Sequence, residues 1–145
     1  MAYVSLDSDQ IKKAHKKHKY TKEQVEQLEK CMDPTTGPLY FMKQFMKIQH
    51  PVKGEMRFEP FPYQERLIES YNNHRFSIAM LPRQTGKTTC ASGYLIWYAM
   101  FRPDSQILIA AHKYAGASDI MSRVRYAYEM LPSWIKAGVT QYNRN

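Results

Sequence analysis

Residues 81–89 read LPRQTGKTT. Gly86, Lys87 and Thr88 reproduce the second half of the phosphate-loop pattern GxxxxGK[ST], while Leu81 stands where that pattern has its first glycine. In such a loop the backbone N–H groups encircle a β-phosphate, the lysine reaches β and γ oxygens, and the hydroxyl binds Mg²⁺. A bare Gly-Lys-Ser/Thr arises by chance in roughly one chain of this length in ten to twenty, so context must decide. Here the triplet follows an apolar run and opens a long helical pattern, the placement that aims a helix N-terminus at an anion. A lysine in the first helical turn also opposes the helix dipole unless something negative binds there. The missing first glycine serves a backbone shape and is dispensable if the loop is entered differently. Pro82 supports that, because it confines Leu81 to extended angles. Arg83 adds a planar, permanently charged fork suited to charge developing on a phosphoryl group, its alternative being an exposed ion-pair arginine.

The elements expected to position these residues are a strand over RFSIAML (75–81), a helix over 87–101 stopped before Pro103, a strand over SQILIAA (105–111) and a helix over 114–131 ended by Pro132. Strand, loop, helix, strand and helix in that order predict an α/β core with a parallel sheet. Ahead of it lies a helical lead-in over 21–74. Thr21 and Gln24 form a capping box for a helix over 22–32, and DPTTGP (33–38) is a turn. Pro38 suits the first turn of a helix over LYFMKQFMKI, an irregular or extended connection reaches Pro62, and a further helix runs over 63–74. Residues 1–20 end in the basic run IKKAHKKHKY and read as an arm, in which His15 and His18 could suit a metal but have no matching second pair.

The 145 residues carry a net charge of +8, so polyanions are the expected partners. Cys31 and Cys90 lack a CxxC arrangement and fit a reducing compartment. The N-terminus has no apolar signal region, and the longest apolar run, YLIWYAMF (94–101), is too short to span a bilayer. A soluble, cytosolic protein without membrane partners is the expectation.

Three stretches together, FPYQ (61–64), LPRQTGKTT (81–89) and ILIAAHK (107–113), resemble the ATPase end of the large terminase subunit of tailed phages, closest to the T-even-like branch. The resemblance runs from about Tyr20 to the last residue. It implies a P-loop NTPase of RecA/helicase-like fold, using ATP and Mg²⁺ to drive double-stranded DNA through a portal into an empty capsid. It implies a nuclease domain in the full protein, a portal protein and a small terminase subunit as partners, and a ring oligomer when complete. The place of action would be the host cytoplasm and, transiently, the procapsid portal. By the same resemblance Gln64 recognises adenine, Arg83 acts on the γ-phosphate, and Gln84, Thr85, Gly86, Lys87, Thr88 and Thr89 line the phosphates, with Lys87 catalytic and the Thr88 hydroxyl on the metal. Lys113 corresponds to a coupling and nucleic-acid segment, or is a solvated helix-start residue. Without the resemblance Gln64 reads as an ordinary helix-start glutamine.

An NTPase of this type also needs an apolar strand ending in Asp and Glu. The acids after Lys87 are Asp104, Asp119 and Glu129, and none follows an apolar strand. The chain therefore resembles the front portion of a terminase, an incomplete P-loop core over 75–145 that binds nucleotide but lacks groups for hydrolysis. Its two strands would leave exposed sheet edges, which predicts instability or self-association of the isolated segment. Two other readings stay open. One is another P-loop ATPase such as a helicase, which usually keeps the first glycine. The other is a basic nucleic-acid-binding module resting on the charge, KKAHKKHK and eleven tyrosines available for stacking.

Overall fold

The computed structural model describes residues 11–15, 17–50, 52 and 54–140. Residues 1–10 and 16 of the basic arm lie outside the described residues, as do 141–145.

Helix α1 (Lys22–Met32) begins where the capping box places it: the Gln24 amide donates to Thr21 Oγ1 at 3.2 Å and the Thr21 amide donates to Gln24 Oε1 at 3.1 Å. Two first-turn donors are satisfied reciprocally. The Asp33 carboxylate closes the following turn by accepting from the amides of Thr36 at 2.7 Å and Thr35 at 2.8 Å. These amides, that of Thr36 first, hold its carboxyl below the usual carboxylate range.

Helix α2 (Gly37–Phe45) has Pro38 in its first turn, as expected, but ends three residues before Ile48. Met46 adopts extended angles, and the chain enters a hairpin of β1 (Lys47–His50) and β2 (Gly54–Arg57). The strands pair antiparallel with Ile48 opposite Met56. The irregular or extended connection expected here is thus a paired ladder in part. Gly54 turns the chain at φ +71°, an angle open to glycine, and Lys47 and Glu55 form an ion pair across the strands.

Helices α3 (Pro62–Asn73), α4 (Lys87–Phe101) and α5 (Tyr114–Glu129) follow. The core gathers on α4. Trp97 is fully buried and its indole N–H donates to the Cys31 carbonyl at 2.7 Å, tying α4 to the end of α1. The Phe41 and Phe101 rings meet edge to face at 5.7 Å. At Gly93 the helix approaches α2 so closely that an added Cβ would stand 2.5 Å from both Met42 Cε and Met46 Sδ. A side chain at that position would require the Met42 and Met46 side chains to shift.

Segments 75–81 and 105–111 carry no ladder among the described residues, whose one sheet is the β1–β2 hairpin. Ile78, Met80 and Leu108 are 94%, 92% and 91% exposed. A strand is completed by a neighbour that accepts and donates its backbone bonds, so the parallel sheet stays an expectation. The described part of the basic arm is tied to Val139: the Val139 amide donates to the Lys12 carbonyl at 2.9 Å and the Ala14 amide to the Val139 carbonyl at 3.2 Å, in a parallel bridge. No helix among the described residues is long and apolar enough to cross a membrane, and none of their His, Cys, Asp and Glu side chains gather in threes as metal ligands would.

Candidate functional site: the loop at the start of α4

Residues 81–86 lead directly into α4, with Gly86 as N-cap at φ +74° and no side-chain cap. The amides of Lys87, Thr88 and Thr89 have no carbonyl one turn earlier in the helix to bond, and the first internal bond runs from the Cys90 amide to the Gly86 carbonyl at 2.9 Å. The first turn holds no acid. The result is a cluster of uncapped N–H groups at the positive end of a fifteen-residue helix.

The ammonium of Lys87 folds back across the loop. It donates to the Pro82 carbonyl at 2.9 Å and to the Leu81 carbonyl at 3.2 Å. Two of its three hydrogens thereby bind loop backbone, which holds the charge over the loop and leaves one donor for an oxygen from outside. Thr85 Oγ1 donates to the same Pro82 carbonyl at 3.0 Å, a second link closing the loop on itself. This geometry explains how leucine serves at position 81. Its contribution is a carbonyl oxygen, and every residue has one. The left-handed angles of the loop fall at Gln84 (φ +62°) and Gly86, and not at Leu81.

Helix α3 grips the loop from the other side. Gln64, 6% exposed, donates through Nε2 to the Thr85 carbonyl at 3.0 Å, and its Oε1 accepts from the Phe61 amide at 3.0 Å. The Tyr63 hydroxyl donates to the same Thr85 carbonyl, also at 3.0 Å. A Cβ at position 86 would stand 2.6 Å from Gln64 Nε2, so Gly86 answers to the neighbouring helix as well as to its own φ. Tyr63 was not singled out by pattern reasoning, because an aromatic one residue inside a helix start reads as packing. Its signal was adjacency to Gln64.

The remaining expected residues divide. Arg83 is exposed and has no hydrogen bond or ion pair among the described residues. Gln84 is exposed, and Thr85, Thr88 and Thr89 are half-buried. Lys113 is the exposed N-cap of α5 and makes none of the bonds that shape the loop. Of the acids, Asp119 pairs with Arg123 at 3.2 Å within α5 and Asp104 is exposed. Burial pushes the Cys90 thiol, one turn into α4, up to about 11, which favours its neutral form.

Comparison with known proteins finds a family match over residues 78–145, to the model described as terminase large subunit, T4likevirus-type, N-terminal. The matched region begins just before the loop and includes Arg83 to Thr89, whereas FPYQ lies ahead of it.

Proposed function

We propose that this chain, which over residues 78–145 matches the family model described as terminase large subunit, T4likevirus-type, N-terminal, is part of such a subunit and binds the triphosphate of ATP with Mg²⁺ at residues 81–89. The binding would serve the ATPase of a motor that moves double-stranded DNA. The observation that carries this reading is the Lys87 ammonium, held over an uncapped helix N-terminus by the carbonyls of Leu81 and Pro82. The ammonium bonded to the loop and the uncapped amides that begin α4 both favour a compact anion.

In this reading the amides of Gly86 to Thr89 bind phosphate oxygens, and Lys87 neutralises charge spread over the β and γ groups. Arg83 swings in from solvent to the γ-phosphate as charge develops there. Mg²⁺ fits the residues present, since it commonly takes one or two protein oxygens beside phosphate and water. The Thr88 hydroxyl, on the first turn of α4, would be its protein ligand, and the ion would supply charge neutralisation between phosphate groups. Portal protein, small terminase subunit and a ring of copies complete the proposed assembly, acting in the host cytoplasm and at the procapsid portal.

The test is calorimetric titration of the chain with a non-hydrolysable ATP analogue and magnesium. Lys87→Ala is expected to weaken binding at least about tenfold, since bonds to charged groups contribute ~1.5–3 kcal/mol. Binding to double-stranded DNA should stay as it was. An unmodified chain that takes up no triphosphate would end this reading, and loss of DNA binding alone in the variant would favour a nucleic-acid module.

A further inference from the structure

We infer that Tyr63 and Gln64 form a two-pronged clamp that positions the phosphate loop through a single acceptor, the carbonyl of Thr85. The inference deepens the triphosphate reading above and rests on it for its purpose, though the clamp itself is a property of the unliganded chain.

Two donors from consecutive residues of α3 reach one oxygen, each at 3.0 Å, across more than twenty residues of sequence. A carbonyl oxygen has two lone pairs, and the pair of bonds fills both. The orientation of the Gln64 amide follows from its partners: reversing it would set oxygen against the Thr85 carbonyl and N–H against the Phe61 amide. Both ends of this buried amide are therefore engaged by the protein, one by its own helix start and one by the loop.

The consequence for the loop comes from peptide planarity. In a trans peptide the C=O and the N–H of the next residue point in opposite directions. Turning the Thr85 carbonyl toward α3 therefore turns the Gly86 N–H away from it. The next peptide is set by Gly86 at φ +74°, and a side chain there would displace Gln64. The clamp thus orients the first of the amides proposed to bind phosphate, and it does so from a rigid base. Ile68 of α3 is 1% exposed in the core, and the Tyr94 hydroxyl of α4 donates to the Tyr71 carbonyl at 3.2 Å. Tyr63 and Gln64 are positioning residues that act through the loop backbone, a role independent of the base of the nucleotide.

The experiment uses the full chain and two conservative variants. Tyr63→Phe keeps the ring and its stacking on Phe61 at 5.8 Å but removes the hydroxyl. Gln64→Glu keeps an acceptor for the Phe61 amide but removes the donor to Thr85. Three probes are titrated with magnesium: inorganic tripolyphosphate, ATP and GTP. Amide hydrogen exchange at Gly86 is followed without any probe. Each variant is expected to speed Gly86 exchange and to weaken tripolyphosphate and ATP by the same factor, about fivefold, leaving the ATP to GTP ratio unchanged. Weakened ATP with unchanged tripolyphosphate and a lowered ATP to GTP ratio would show the amide reading the base and overturn the clamp. Unchanged Gly86 exchange in both variants would overturn it as well. If the unmodified chain bound none of the three probes, the phosphate reading would fall, and the exchange rates would still judge the clamp by themselves.

Discussion

Trp97 and Ile78 are both large apolar residues, yet Trp97 is fully buried and Ile78 is 94% exposed. The contrast holds for their surroundings. The helices α1 to α4 bury Phe41, Met42, Ile68 and Trp97 against one another, while 75–81 and 105–111 leave Phe76, Ile78, Met80 and Leu108 in water. Hydrophobicity does not separate the two groups. A helix bonds its own backbone and then needs only a packing face, whereas an extended segment needs a neighbour for its backbone before its side chains can be covered.

The comparison can be tested at its strongest point first. Trp97→Ala removes the centre of the helical core and leaves the Cys31 carbonyl without its donor, and it should cost about 3–5 kcal/mol in chemical denaturation. A loss under ~1 kcal/mol would mean that the helical core is not the stable body of the molecule.

Gly86→Ala acts at the junction of the two regions. Strain at φ +74° and the collision with Gln64 should cost about 1–3 kcal/mol, accompanied by weakened triphosphate binding. Titration and denaturation of the same sample would read both.

Alkaline pH probes the core through its thiols. Burial raises Cys31 from 9.0 to about 12 and Cys90 from 9.0 to about 11. The unfolded chain loses these protons first, so their contribution is whole below pH 9.0 and falls as pH rises through 11 and 12. Burial raises Tyr71, Tyr94 and Tyr128 in the same direction. Denaturation midpoints should therefore decline above pH 9.0, and replacing both cysteines by alanine should flatten the first part of that decline.

The smallest stability effect belongs to the exposed segments. Ile78→Ser combined with Leu108→Ser should change stability by no more than about 0.5 kcal/mol per site, because neither side chain is packed. Light scattering should nevertheless show reduced self-association, since an unpaired apolar segment is a template for pairing with another copy. A large loss of stability here, with no effect on association, would erase the distinction between the two regions.

Pattern reasoning located α1, α3, α4 and α5, the first three through their own boundary chemistry: the Thr21–Gln24 box, Pro62 and the Gly86–Lys87 junction. For α5 it ran to Leu131, two residues past the observed end at Glu129. It also marked the loop, since Gly86 and Lys87 belong to a short motif whose geometry is local. It did not find the β1–β2 hairpin, where LYFMKQFMKI carries an apolar pattern that continues past the last helical residue, Phe45. The switch at Met46 depends on Ile48 meeting Met56 across the ladder. Nor did it find Tyr63 on the loop, because the partner of that hydroxyl is twenty-two residues away. Local order in this chain follows from capping side chains, prolines and glycines, whose bonds reach only a turn or so along the backbone. The grip of α3 on the Thr85 carbonyl and the exposure of Ile78 and Leu108 follow from which distant groups meet in space, and no spacing along the chain encodes that meeting.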